Sequence, residues 1–384
     1  MTISILFATI SITFLLLFTS CAPVATPAPT VVSTTPQPIT TVAPASTISP
    51  LTSQDAAWQK ILEAAKKEGK LTIYSGNFTG DIGIALSRDF KERYGIQVDI
   101  ISGRGTEFIQ RLQTEKRMGS ILADVEDTSG TNAKIMKQLG LTKSIAQELP
   151  VLREKDVWAA DIYGLDPQDK HAIAFNFSTY SPFVNNNLVK VGEEPKVWKD
   201  LLDPKWKSKM MAINPTSSAG LINTFIPLMR EKVIDEQYLK SLYSQDMQFT
   251  VSAPDEAARL SRGERPLSVA DINISFAKFV AEGAPIRAIE MNDGMVMSPL
   301  PIVAFDGGPH PNAGKVFINW LLSPEGQTVW NKANGAPGVR KDVPNFLPKG
   351  AQTNPKRPIM QTNEDADEAG KLFQQQWLNK LWGR

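Results

Sequence analysis

The sequence predicts an α/β protein in which mostly parallel strands carry helices on both faces, arranged as two domains behind a long leader. Three observations predict it. From Trp58 onward, amphipathic helical segments alternate with short apolar strands, the signature of parallel sheet architectures. Of the chain's 384 residues, the part that follows the leader is long enough for two domains of ordinary size. No Asp, Glu, Lys or Arg precedes Asp55, whereas the composition beyond it is that of a globular protein.

The leader has two parts. A hydrophobic run from Ile3 to Leu17, closing in Phe18-Thr19-Ser20-Cys21, has the apolar core and small-residue cleavage region of an export signal. Cys21 is the only cysteine, so disulfides are unavailable to the body and its stability must come from packed cores. The segment 1–21 resembles the signal of bacterial lipoproteins, in which the cysteine becomes the first mature residue and receives lipid. That resemblance implies lipidation at Cys21 and an extracytoplasmic protein anchored to the bacterial cell membrane. Plain secretion and an uncleaved anchor are the alternatives, although the run is shorter than the roughly 20 apolar residues a bilayer core requires. Residues 22–54 carry Pro23, Pro27, Pro29, Pro36, Pro38, Pro44 and Pro50 among Thr, Ser and Ala, a composition that cannot bury a core and reads as a semi-stiff tether.

The body opens with a predicted helix over Trp58 to Lys67, whose Trp58, Ile61, Leu62 and Ala65 share one face, and Gly69 ends it before the strand Leu71 to Tyr74. A second helix over Gly80 to Tyr94 leads to the strand Gln97 to Ile101. A third over Glu107 to Arg117 leads to the buried segment Ala123-Asp124-Val125. In such sheets ligands bind beyond the carboxyl ends of the strands. The loops there are Ser75-Gly76-Asn77, Ser102-Gly103-Arg104-Gly105-Thr106 and Asp127-Thr128-Ser129-Gly130. All three are small, polar and glycine-bearing, so a backbone can approach a ligand and helix-start N–H groups stay available. Each also reads as a turn with a helix cap, and only their recurrence at one sheet edge favours a shared pocket.

With 41 basic against 40 acidic residues and no basic cluster, the chain lacks a nucleic-acid footprint. Its two histidines, His171 and His310, fall in no Ser/His/Asp arrangement and no His-Glu-x-x-His spacing, and no Gly-x-x-x-x-Gly-Lys phosphate loop occurs. These features argue against an enzyme.

Four segments resemble the extracytoplasmic solute-binding proteins of ABC importers, the group that contains ferric-iron, phosphonate, thiamine and polyamine binders. They are Ala64 to Ser75; Ala123-Asp124-Val125 with Leu139-Gly140-Leu141; Pro195-Lys196-Val197-Trp198-Lys199-Asp200-Leu201-Leu202-Asp203-Pro204-Lys205-Trp206-Lys207; and Pro309-His310-Pro311-Asn312-Ala313 running on to Trp320-Leu321-Leu322-Ser323-Pro324-Glu325-Gly326-Gln327. The resemblance implies a type II periplasmic-binding fold, two α/β lobes joined by two crossing strands with the ligand between them. It implies a first lobe of residues 55–173 and 297–384 and a second of 174–296, with crossings near Ala172 to Phe183 and Met295 to Pro301. A last helix is expected over about Glu364 to Leu381, with Leu372, Phe373, Trp377 and Leu381 on one apolar face.

On that reading the second lobe contributes Thr216, Ser217 and Ser218 before a helix running through Arg230, and Asp271 and Asn273 after Val269-Ala270. The first lobe contributes Ser75, Gly76, Asn77, Arg104, Thr106, Thr128 and Ser129. Arg104 between two glycines offers a bidentate donor, which favours a small organic anion, and its loss would weaken binding by at least about tenfold. Phe78, Phe177 and Trp158 are candidates for an apolar complement. The family's iron binders use two adjacent tyrosines, a pair this sequence lacks. A ferric-iron binder and a ligand-sensing lipoprotein are the alternative functions. The expected partners are a small-molecule ligand, a permease and its ATPase, with a monomeric binding protein, no nucleic acid and no cofactor or resident metal.

Overall fold

The computed structural model describes residues 53–215, 217, 220–363 and 365, all within one compact unit, Leu51–Arg384. Cys21, the tether, Thr216, Ser218 and the expected C-terminal helix lie outside the described residues.

In chain order the first elements are α1 (Ser53–Glu68), β1 (Lys70–Ser75), α2 (Gly80–Tyr94), β2 (Gln97–Ser102), α3 (Gly105–Arg117), β3 (Val125–Asp127), α4 (Gly130–Gln138) and β4 (Thr142–Lys143). The long strand β5 (Ala172–Asn185) follows, then β6 (Met210–Ile213), α5 (Gly220–Arg230), α6 (Glu236–Tyr243), β7 (Gln248–Thr250), α7 (Ala253–Ser261), β8 (Leu267–Ile272), α8 (Asn273–Ala281) and β9 (Ile286–Ala288). A second long strand, β10 (Met295–Phe305), leads to α9 (Pro311–Leu321), α10 (Pro324–Asn334) and β11 (Pro358–Met360). The segment Ala123 to Val125 is buried as expected, and within it β3 begins only at Val125. Asp124 instead spends its carboxylate on the backbone N–H groups of Thr72, at 2.8 Å, and His310, at 2.5 Å.

An eleven-stranded sheet runs in the order β2-β1-β3-β10-β5-β8-β6-β7, with β4 and β11 on β10 and β9 on β5. Parallel pairing of β1 with β2 and β3 makes one half, and parallel pairing of β6 with β7 and β8 the other. The long strands β5 and β10 join them. Ala172 to Thr179 lie antiparallel to β10, while Tyr180 to Val184 lie antiparallel to β8. This is the two-lobed type II architecture with two crossing strands.

Alternation along the strands sorts the cores. Ile73 and Val125 enter one apolar cluster of the first lobe, while Tyr74 and Val303 enter the cluster on the opposite face of the sheet. In the second lobe Val184 and Met210 face one cluster, and Phe183 and Met211 the other.

The sequence segments that carry the family likeness are packing devices. Trp198 is fully buried, its Nε1 donates to the Gly294 carbonyl at 2.8 Å, and its own carbonyl accepts from the Tyr238 hydroxyl at 2.9 Å. A buried aromatic of this size removes about 150–250 Å² from water, roughly 4–6 kcal/mol before entropy is counted. Gln327 donates to the carbonyls of Phe175 on β5 and Leu321 on α9, and accepts from the Val339 N–H. It therefore locks α10 to a crossing strand. Gly326 precedes it because a Cβ there would lie 1.9 Å from the Trp320 carbonyl oxygen.

Candidate functional site: a cleft at the crossing strands

The carboxyl ends of β1, β2 and β3 stand level, because Ser75 pairs in register with both Ser102 and Asp127. The loops that follow therefore open at one edge, as the sequence pattern requires. Beside that edge lies a cavity of about 320 Å³. Asn77, Ser129, Gly130 and Thr131 line it from the first lobe, Asn223 of α5 from the second, Ser178 on β5 and Ser298 to Leu300 on β10 from the crossing strands, and Gln361 to Asn363 from the segment after β11; Leu165 completes it. Of two further grooves, one of about 340 Å³ is lined by first-lobe residues together with Ala172 of β5 and Asn363, and one of about 710 Å³ by second-lobe residues alone. Only a ligand held by both lobes favours closure, which singles out the cleft.

Each predicted residue has a definite place. Ser75 is buried, and its Oγ accepts the N–H groups of Asn77 and Phe78, so it shapes the turn. A Cβ on Gly76 would meet the Gly103 carbonyl oxygen at 3.6 Å, and the two loops are tied by the Gly103 N–H, which donates to the Ser75 carbonyl at 3.1 Å. Asn77 reaches the cavity, held by Asp127, whose Oδ2 accepts both its side-chain amide at 2.5 Å and its backbone N–H at 3.1 Å. Ser129 also lines the cavity and caps α4 by accepting the Asn132 N–H. Thr128 is buried against Gly105, with its hydroxyl unpaired.

Arg104 and Thr106 are exposed and absent from the cavity wall. Arg104 stands at the start of α3, where its N–H meets Glu107, so the expected bidentate donor does not reach this cavity. Ser217 is exposed in the loop before α5, bonded through its N–H to the Asn214 carbonyl.

Asp271 and Asn273 are spent on internal structure. Asp271 is buried with Glu256, both within hydrogen-bond reach of the Ser268 hydroxyl, whose single proton serves one carboxyl at a time. Burial first, and then the Glu256 charge, push Asp271 well above the usual carboxylate range, while burial pushes Glu256 to about 7. Asn273 accepts from Ser181 and donates to the Ala351 carbonyl and the Thr353 hydroxyl, fastening α8 to the segment ahead of β11. Phe78 and Phe177 are core residues of the first lobe, and Trp158 packs against the same cluster. Tyr238 is buried on α6, as packing rather than ligation requires.

The electrostatics of the cleft are unusual at its base. Asp127 is buried, and burial pushes its carboxyl up to about 7 against the opposing hydrogen bonds from Ser75 and Asn77. Glu126, one residue earlier, faces the cluster that contains Tyr74, with neither carboxyl oxygen hydrogen-bonded. Burial pushes it up to about 8; Thr128 offsets part of this, although no hydrogen bond of ordinary geometry joins them. No charged side chain is among the described residues of the cavity wall. Recognition there falls to hydroxyls, amides and the first turn of α4, whose N–H groups at Gly130 and Thr131 sit at the positive end of the helix.

Sequence reading missed Glu126, Thr131, Ser178, Asn223, Ser298 and the residues 361–363. One signal was present: Ser178 and Ser298 are small polar residues in the middle of two apolar strands, and they pair directly across the sheet.

Comparison with known proteins places residues 135–356 in the family model described as bacterial extracellular solute-binding protein. A Salmonella typhi periplasmic protein named for 2-aminoethylphosphonate binding is 24% identical over 297 residues, covering 75% of this chain and 76% of the relative. The ferric binding protein from Campylobacter jejuni superposes with a TM-score of 0.61 at 22% identity, over 79% of this chain and 98% of that one. The periplasmic binding protein AfuA from Actinobacillus pleuropneumoniae, solved with fructose-6-phosphate bound, gives 0.54 at 19% identity, over 82% of this chain and 99% of that one.

Proposed function

The chain belongs to the bacterial extracellular solute-binding protein family, and from that premise we propose that it is the membrane-tethered binding component of an ABC importer, capturing a small organic anion between its lobes. The observation that carries this reading is the cleft itself, to which the first lobe, the second lobe and both crossing strands each contribute wall. A ligand touching all of them favours the closed arrangement, and closure presents a combined surface to a permease. The anion preference rests on the start of α4: Ser129 takes the Asn132 N–H, which leaves the amides of Gly130 and Thr131 beside the cavity for an anionic group.

The protein functions outside the cytoplasm, held through lipid on Cys21 with residues 22–54 as spacer. Among the described residues no helix is long and apolar enough to cross a membrane. Ferric iron is the weaker reading, since the cleft wall offers amides and hydroxyls where a hard cation needs charged oxygen ligands.

Thermal unfolding of the full chain in detergent against 2-aminoethylphosphonate, fructose-6-phosphate, spermidine and ferric citrate tests the assignment. At about 100 times its dissociation constant a true ligand adds roughly 2.7 kcal/mol. Stabilisation by an anionic organic solute is expected; stabilisation by ferric citrate or spermidine alone would reverse the ligand class.

A further inference from the structure

Residues beyond the family match form a strap across the cleft. β11 pairs in parallel with Met295 to Met297 of β10, and the Gln361 N–H continues the ladder to the Met297 carbonyl at 2.9 Å. The second lobe holds this strap firmly. Ile359 is buried in its core, Gln361 donates to the Asn223 side chain at 3.1 Å, and Asn223 in turn donates to the Tyr180 hydroxyl. Arg230, at the end of α5, donates to the Met360 carbonyl, the Thr362 hydroxyl and the Asp365 carboxylate.

Three residues after β11 the strap meets the first lobe. The Asn363 side-chain amide donates to the Leu165 carbonyl at 3.0 Å. Its Oδ1 is buried without a hydrogen-bond partner, over the first turn of α4, 2.8 Å from where a Cβ on Gly130 would stand. Gln361, Thr362 and Asn363 all line the cavity.

We propose that residues 358–363 are a third wall of the ligand cleft that bridges the two lobes, with Gln361 and Asn363 as ligand-selecting residues and Arg230 as the residue that positions them. The wall role rests on the cleft being the ligand site; the bridge does not. The orphaned Asn363 oxygen gives the bridge a reason to move, since a ligand N–H or O–H arriving at the start of α4 supplies the partner it lacks. Bridging also makes the strap a party to closure: its anchor on the second lobe is extensive, so opening the cleft releases the Asn363 end.

Hydrogen exchange of the ligand-free full chain in detergent, followed by mass spectrometry, tests the bridge. In Asn363→Ala, peptides spanning 126–134 of the first lobe and 358–365 of the strap should both exchange at least about tenfold faster than wild type. Unchanged exchange at 126–134 would overturn the bridge, whatever the strap does. In Arg230→Ala the strap peptide should exchange faster; equal exchange would overturn the positioning role. Gln361→Ala, which removes only a half-buried side chain, repeats the test should either variant fold poorly. In the binding arm, titration with 2-aminoethylphosphonate and fructose-6-phosphate should show Gln361→Ala and Asn363→Ala each weakening whichever solute stabilises wild type. Wild-type affinity in both variants would overturn the wall role while leaving the cleft as the site, whereas binding of neither solute to wild type would count against the anion reading and leave the bridge to the exchange result.

Discussion

Asn77 and Asp127 are joined twice through a single atom: Oδ2 of Asp127 accepts the Asn77 side-chain amide at 2.5 Å and the Asn77 backbone N–H at 3.1 Å. The second bond fixes the turn after β1. The first fixes the orientation of the amide, which leaves the Asn77 Oδ1 as an acceptor at the cavity wall. Two loops of the first lobe are thus held as one unit at the ligand edge.

Asn77→Ala is expected to cost about 1–3 kcal/mol of stability, because a buried carboxylate loses a donor. It should also weaken ligand binding at least about tenfold. Urea unfolding and calorimetric titration measure the two effects separately.

Arg104→Ala is expected to leave ligand affinity within about twofold, since the guanidinium is exposed and off the cavity wall. Titration beside wild type checks it, and a tenfold loss would restore Arg104 to the site.

Glu126 gives the chain a pH dependence. Its folded value, about 8, lies above the ordinary 4.5. The folded state then binds the proton more tightly, so its contribution is fully present below about 4.5 and is lost as pH rises through about 8. Glu126→Gln keeps the neutral shape at every pH. Its stability should match wild type near pH 4 and exceed it at pH 9, by about 1.4 kcal/mol for every tenfold difference in proton affinity between the folded and unfolded chain. Parallel denaturation curves at the two pH values check the sign.

Gln327→Leu should lose the clamp between α10 and β5. Three buried backbone groups are then left without their partner, at about 1–3 kcal/mol each when unrelieved. Chemical denaturation is expected to show a fall of several kcal/mol with the slope unchanged.

The framework was legible because its signals are local. The alternation of Ile73 with Tyr74, the glycine after Glu68 and the helix from Gly80 to Tyr94 follow from periodicity and capping, and the observed elements coincide with them within a few residues. The loops 75–77 and 127–130 were legible for the same reason, since strand ends in a parallel sheet define an edge. Side-chain aim was not. Asp271 and Asn273 sit at the end of β8 as expected, yet Ser268, on the same strand, and Ser181, far away in sequence on β5, capture their polar atoms. Asn363 was invisible for the converse reason: its meaning comes from Leu165 and Gly130, roughly two hundred residues earlier in the chain.

The most direct test of the central claim is hydrogen exchange with and without the solute that stabilises the protein, read at both sides of the cleft. Binding between the lobes predicts protection of the peptides containing Ser129 to Thr131 and Asn223 together. Protection on one lobe alone, or at the grooves around His171 or Asp235 instead, would contradict it.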